Sequence, residues 1–333
     1  MSIDSQGEVA RYMCTRVLWN TEGRYVMAGR TMDWPESTQP TIVAFPRGRQ
    51  RDGGKVGDIV AVADKPLRWT SRHANLVTTV YGIGTVDGFN EAGLGMHALF
   101  LKSTDVGARD PGRPGLQMGL FGQYLLDQAG SVAEALELIG TFQPVMVEAH
   151  GRQATIHFAL EDVGGDSAII EFAEGEPVIH HGRQFTIMTN DPTYDEQLDL
   201  LSQQDFSNPS SDTPLPGNVN PKDRFQRAAY YSALLTPPAD RRQAVASVMA
   251  IMRNVSVPFG APYHDFGVYN TEYRTVIDLT EKLYFFELST SPNVIWIDFD
   301  ALKLDGQPLE INPYDTTLVG DVTSRFEPQP VPF

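Results

Sequence analysis

The sequence predicts an α+β fold in which two sheets pack face to face with helices outside. Three observations carry that expectation: short apolar runs bounded by turn residues fill the first hundred positions, two pairs of amphipathic helical segments interrupt the chain, and three more strand-like runs close it. At 333 residues, 41% hydrophobic and 20% charged, the chain can bury a large core as one big domain or two small ones.

The elements follow in order. Between Cys14 and about Thr104, the runs TRVLWN, RYVMAGR, TIVAFP, DIVAVA, NLVTTVYG and GMHALFL are bounded by Gly, Pro, Asp or Asn and read as strands. Over residues 115–142 the period changes: Leu and Phe recur at helical spacing, Ser131 fits an N-cap for the second segment, and a helical hairpin is predicted. ATIHFALED, DSAIIEFAEG, EPVIHH and QFTIMTN return to strand patterning, while residues 195–220 turn polar with Pro and Gly and are predicted to be a surface loop. KDRFQRAAYYSALL and DRRQAVASVMAIMRNV form the second amphipathic pair, and RTVIDLT, KLYFFEL and NVIWIDFDAL form the closing strands. No internal repeat is evident.

Charge and cysteine usage narrow the function classes. The 42 acidic and 26 basic residues give a formal charge of -16, which opposes binding to nucleic acid and to anionic membranes. No run approaches the roughly 18 apolar residues of a membrane helix. The opening MSIDSQGEVARYM carries Asp4, Glu8 and Arg11 without an apolar stretch, so it does not form a signal peptide. As written the chain reads as cytoplasmic, or as periplasmic if an upstream signal peptide was trimmed. The single cysteine, Cys14, cannot form an internal disulfide and is either inert packing or chemistry.

A hairpin argument bears on that choice. Cys14 begins one strand, WNTEGR supplies turn residues centred near Glu22, and RYVMAGR returns, which would set Arg30 opposite Cys14. A neighbouring guanidinium stabilises thiolate, and Asp33, three residues on, could hold a cationic group near the sulfur. The plain alternative is a buried Cys with an unrelated Arg and Asp, and spacing alone does not decide between them. Other features are quieter. The seven histidines are scattered without metal-ligand spacing, His180 and His181 point to opposite faces of a strand, and no metal is expected. GIGTVDG has Asp87 where a dinucleotide fingerprint needs its third Gly, and the basic run PRGRQRDGGK reads as a solvated loop.

Several motifs in order resemble one family. Cys14-Thr-Arg with AGRTMDW, VDGFNEAGLGMHAL (86–99), MTNDPTYDEQL (188–198), LPGNVNPKDRFQRAAYY (215–231), SVPFG and TEYRTVIDLTEKLYFFE together resemble the choloylglycine hydrolases, N-terminal-nucleophile enzymes that include bile salt hydrolases and penicillin V acylases. The resemblance runs from Cys14 to roughly Asp300 and implies a four-layer αββα sandwich in a single domain, 14–333, with residues 1–13 removed on maturation. It implies that Cys14 is the nucleophile and that its own α-amine is the base, since such an amine titrates near 8. Arg30 would support the thiolate, Asp33 would hydrogen-bond the amine, Asn190 would donate to the oxyanion with a main-chain N–H near Phe100 as second donor, and Arg224 would order the cluster. In isolation Asn190 could equally be a turn residue before Pro192, and Arg224 a solvated residue of a first helical turn.

The same resemblance implies hydrolysis of a linear amide through a thioester, with no cofactor and a small-molecule N-acyl amide as the partner. Homotetramers are frequent in the family, while the acidic surface and a short loop between Asn190 and Arg224 leave assembly open. Phe100 stands where bile salt hydrolases carry Asn, and Trp34 directly follows Asp33; both are similar to the Gram-negative penicillin V acylases. Two aromatic walls favour phenoxyacetyl or fatty acyl groups over a hydroxylated steroid, although ordinary core packing is their plain alternative. Penicillin V and N-acyl homoserine lactones are therefore the expected substrates. The rival expectations are a conjugated bile salt hydrolase and an unprocessed, non-catalytic member that binds acyl ligands.

Overall fold

Packing two sheets face to face with helices outside buries both faces of the central strands, and burial is near-continuous along Val26–Trp34 in one sheet and Gly84–Asn90 in the other. The computed structural model describes residues 13–21, 24–149, 152–262, 269–291, 293–331 and 333. The expected leader, apart from Met13, and the turn centre at Glu22 lie outside these.

The first sheet has seven strands. In chain order they are β1 (Met13–Asn20) and β2 (Val26–Trp34), and its later members are β10 (Ile187–Met188), β11 (Asn270–Asp278), β12 (Leu283–Leu288), β13 (Val294–Asp298) and β15 (Gly320–Asp321). Their order across the sheet is β10-β1-β2-β11-β12-β13-β15. The second sheet has nine: β3 (Ile42–Phe45), β4 (Asn75–Val80), β5 (Gly84–Asn90), β6 (Leu94–Phe100), β7 (Ile156–Asp162), β8 (Ser167–Ala173), β9 (Glu176–His181), β14 (Leu309–Ile311) and β16 (Glu327–Pro328). They run β9-β8-β7-β6-β5-β4-β3-β14-β16.

Helices α1 (Phe121–Gln128) and α2 (Val132–Ile139) pack on the nine-stranded sheet; α4 (Pro221–Ala233) and α5 (Arg241–Asn254) pack on the seven-stranded one. The result is the α+β, four-layer αββα sandwich. Ser131 caps α2 by accepting from the Glu134 N–H, as its position predicts. Gly29 allows α5 to approach β2, because a Cβ there would stand 2.6 Å from Val248 Cγ1.

Four local expectations are corrected. The polar stretch after Asn190 opens with a helix, α3 (Tyr194–Ser202), started by a capping box between Thr193 and Glu196. The hairpin of residues 115–142 begins later, because Gly115–Gln117 is a short strand and Met118–Leu120 a 3-10 turn. DIVAVA contributes only Ile59–Val60, whose side chains are exposed and which pairs only with Lys55–Val56 in a two-stranded sheet apart from the two large ones. The basic run at 46–55 is not simply solvated: Arg51 is buried, with its guanidinium on Asp127 and on the Phe333 carbonyl.

Candidate active site

The site is built where β1 starts, and the period of two assigns its parts to opposite faces of the sheet. Cys14, Arg16, Arg30 and Met32 face the nine-stranded sheet, where Arg16 meets Glu161; Thr15, Thr31 and Asp33 lie on the other face, where Thr15 and Asp33 meet Arg224 of α4. The hairpin register sets Cys14 opposite Met32 and Arg30 opposite Arg16, two residues away from the pairing expected. Because the slip is by two, Arg30 stays on the thiol's face as a diagonal neighbour, and its Nη2 still lies 3.6 Å from Cys14 Sγ.

Arg30 is fully buried and is held by two carbonyls, Nη1 donating to Val86 at 2.7 Å and Nη2 to Ala98 at 3.1 Å. Burial pushes the Cys14 thiol up, and Arg30 opposes that shift. The thiol also lies 3.7 Å from Met32 Sδ.

On the other face Asp33 accepts from Thr271 Oγ1 at 2.5 Å and from Thr31 Oγ1 at 3.1 Å, and pairs with Arg224 at 3.5 Å. Burial raises its carboxyl, while Arg224 and the two threonines counter. An irregularity in the β2–β11 register between Thr271 and Tyr273 brings the Thr271 hydroxyl to Asp33 while Tyr273 stays with Arg30 on the inner face.

Asn190 follows β10 and is 1% exposed, so it is no surface turn residue. Its Oδ1 accepts from Cys14 N at 2.5 Å and from Arg224 Nη2 at 3.0 Å, and its Nδ2 donates to the Phe100 carbonyl at 2.7 Å. The amide orientation is fixed by that pattern, since reversing it would set donors against donors. The nitrogen of Cys14 therefore meets Asn190, and Asp33 is linked to it through Arg224 and Asn190 in turn. It is the carbonyl of residue 100 that faces Asn190, and the next N–H, of Leu101, donates to Thr155 O at 3.1 Å.

Arg224, in the first turn of α4, is buried rather than solvated. It donates to Val219 O at 2.8 Å, to Cys14 O at 2.7 Å and to the Thr15 hydroxyl. One guanidinium thus ties the Cys14 main chain to both Asn190 and Asp33.

Cys14 opens into a pocket with about 850 Å³ of empty space, its open mouth included. Trp34 and Phe100 both line it, together with mostly aliphatic side chains such as Val56, Val80 and Ile83. Trp34 is anchored: its Nε1 donates to the Tyr81 hydroxyl at 2.7 Å, which donates to Glu36 at 3.1 Å. Among the described residues no cluster suited to a metal ion occurs, and no helix is long and apolar enough to cross a membrane.

The seven residues singled out from sequence, Cys14, Arg30, Asp33, Trp34, Phe100, Asn190 and Arg224, thus converge on one centre. Sequence reasoning missed Thr271 and Tyr81. Thr271 lies inside a segment already singled out, TEYRTVIDL, whereas nothing in the sequence around Tyr81 distinguishes it from any strand-end tyrosine.

The profile of the linear amide C–N hydrolases, choloylglycine hydrolase family, matches residues 14–312. The chain belongs to the choloylglycine hydrolase family. It is accordingly an amidohydrolase of linear amides. A penicillin V acylase from Pectobacterium atrosepticum is 31% identical over 98% of this chain and 93% of its own length. A bile salt hydrolase/transferase from Clostridium perfringens is 23% identical, covering 92% of this chain and 98% of that protein. Among solved structures, the penicillin V acylase from Agrobacterium tumefaciens superposes with a TM-score of 0.85 at 35% identity, covering 96% of this chain and 98% of that one. A conjugated bile acid hydrolase from Clostridium perfringens gives 0.76 at 20% identity over 92% of this chain and 98% of its own, a likeness of fold alone.

Proposed function

We propose that the protein is a cysteine-nucleophile acylase that cleaves N-acyl amides with apolar acyl groups, penicillin V and N-acyl homoserine lactones being the substrates to test. The observation that carries this reading is the apolar pocket walled by Trp34 and Phe100 with the Cys14 thiol at its base. A phenoxy ring buries about 150 Å² or more, which at about 25 cal/mol per Å² is roughly 4 kcal/mol of binding available to an aromatic acyl group.

In the proposed reaction, removal of residues 1–13 frees the Cys14 amine. That amine takes the thiol proton as Sγ bonds to the substrate carbonyl carbon. Asn190 Nδ2, which donates to the Phe100 carbonyl, uses its other hydrogen to donate to the oxyanion. Collapse breaks the C–N bond, and the amine-held proton passes to the leaving nitrogen. Water then adds to the thioester, and the carboxylic acid leaves with Sγ restored. Arg30 steadies the thiolate, while Arg224 and Asp33 fix the Cys14 main chain.

The test is turnover of penicillin V, an N-acyl homoserine lactone and glycocholate by the wild type and by Cys14→Ala. Preference for the first two with complete loss in the variant supports the reading. Glycocholate turnover exceeding both would make the protein a bile salt hydrolase, and binding without turnover of any would make it a non-catalytic member.

A further inference from the structure

Between the two sheets lies a buried polar chain that the proposed reaction does not use. His97 sits between two carboxylates, its Nδ1 on Asp87 and its Nε2 2.7 Å from Glu161. Glu161 in turn receives Arg16 at 2.5 Å, and Asp87 Oδ2 receives Tyr284 at 2.6 Å and Thr275 at 2.8 Å from the opposite sheet. The Asp87, His97, Glu161 and Arg16 side chains are fully buried. Burial pulls the imidazole down, but Glu161 and Asp87 outweigh it and hold it up at about 9, so His97 is a cation between two anions. Gly95, two residues earlier on β6, leaves the room this needs, since a Cβ there would overlap a Glu161 carboxylate oxygen.

The location of the chain suggests its purpose. Asp87 and His97 are cross-strand partners in the β5–β6 register, which runs from Gly95 opposite Phe89 to His97 opposite Asp87. Immediately beyond that pair, the carbonyls of Val86 and Ala98 both accept from Arg30, the guanidinium beside the thiol. Arg30 Nε has no hydrogen-bond partner among the described residues, so the two carbonyls and the sulfur atoms set the position of the guanidinium. The other ionisable groups around it are Tyr273, whose ring lies 5.9 Å from its Cζ, Cys14 and Asp87 itself.

We propose that Asp87 and His97 are positioning residues for the Cys14 thiol: paired across β5 and β6, they hold the Val86 and Ala98 carbonyls at the spacing that clamps Arg30 against Sγ. The inference rests on the role given to Arg30 above. It also gives the direction of the effect. Simple removal of a nearby anion would favour thiolate, because Asp87 raises the energy of negative charge around it; loosening the clamp would disfavour thiolate by letting Arg30 drift.

The experiment is the pH dependence of iodoacetamide alkylation of the protein's single cysteine, in the wild type, Asp87→Asn, Arg30→Gln and the double variant. Asp87→Asn is expected to slow alkylation at neutral pH about tenfold, moving the midpoint up by about one unit. In the Arg30→Gln background, adding Asp87→Asn is expected to change the rate less than about twofold, because its effect passes through Arg30. An Asp87→Asn midpoint that is unchanged or lower, or an equal shift in both backgrounds, overturns the proposal. Should Arg30→Gln itself leave the midpoint in place, the reading of Arg30 fails and takes this inference with it, a result distinguishable from failure at Asp87 alone. If Asp87→Asn does not fold, Tyr284→Phe removes one donor from Asp87 and keeps its charge; about a threefold slowing is expected, and no slowing overturns the clamp.

Discussion

Replacing Arg224 with Met would test the heart of the site, and the structure sets the size of the effect. The substitution keeps the bulk of a buried side chain while removing the cation 3.5 Å from Asp33 and the donors to Val219 O, Cys14 O, Thr15 and Asn190. Breaking a buried ion pair from one side costs roughly 3–5 kcal/mol, because it strands the remaining charge. The lost hydrogen bonds from the guanidinium to neutral acceptors are charge-assisted and overlap with that figure rather than adding to it. The loss should depend on pH. Burial already holds the Asp33 carboxyl above its ordinary value against Arg224, so without Arg224 it rises further. A carboxyl whose folded value lies above its unfolded one destabilises the fold at higher pH, and that penalty is relieved as pH falls through the folded value. Urea unfolding at pH 8 should therefore give Arg224→Met roughly 3–5 kcal/mol less stability than wild type, with the gap narrowing toward pH 5. A gap below about 1 kcal/mol, or one that does not change with pH, would refute the assignment of Arg224 as the counter-charge of Asp33.

Three further outcomes are expected. Trp34→Ala removes one wall of the pocket and should raise KM for a phenoxyacetyl amide about 10- to 30-fold while barely affecting an acetyl amide; equal losses for both would place Trp34 outside the acyl site. Gly29→Ala forces a methyl into Val248 and Met252 of α5 and should lower stability by about 1–3 kcal/mol in chemical denaturation, with Sγ reactivity little changed. Asn190→Ala deletes the proposed oxyanion donor and leaves the Cys14 nitrogen without its acceptor, so kcat should fall at least about 100-fold; a change confined to KM would point to substrate binding instead.

How much of this was legible beforehand differs by residue. A strand such as Leu283–Leu288 could be read directly, because burial on one face writes a period of two into the sequence. Helix α3 could not be read so easily: its burial is confined to Tyr194 and Gln197, so polar composition outweighed the Thr193–Glu196 cap. Arg30 was found for a partly mistaken reason, the hairpin register being two residues from that expected, and it survived because a slip of two preserves the face. Asn190 and Arg224 lie 176 and 210 residues from Cys14, and no local pattern links them; only the order of family motifs brought them together. Asp87 and His97 lay in a segment that was singled out, yet their pairing depends on a cross-strand register and a facing sheet that the sequence does not display.

In the proposed mechanism, catalysis begins at Cys14 as a free N-terminal residue. It is tested most directly by the intact mass of the purified active protein, taken before and a few seconds after mixing with penicillin V at low temperature. The account predicts a chain running from Cys14 to Phe333 that transiently gains one phenoxyacetyl group, with the adduct mapping to Cys14. A full-length chain that turns over substrate, or an acyl adduct on any other residue, would contradict it.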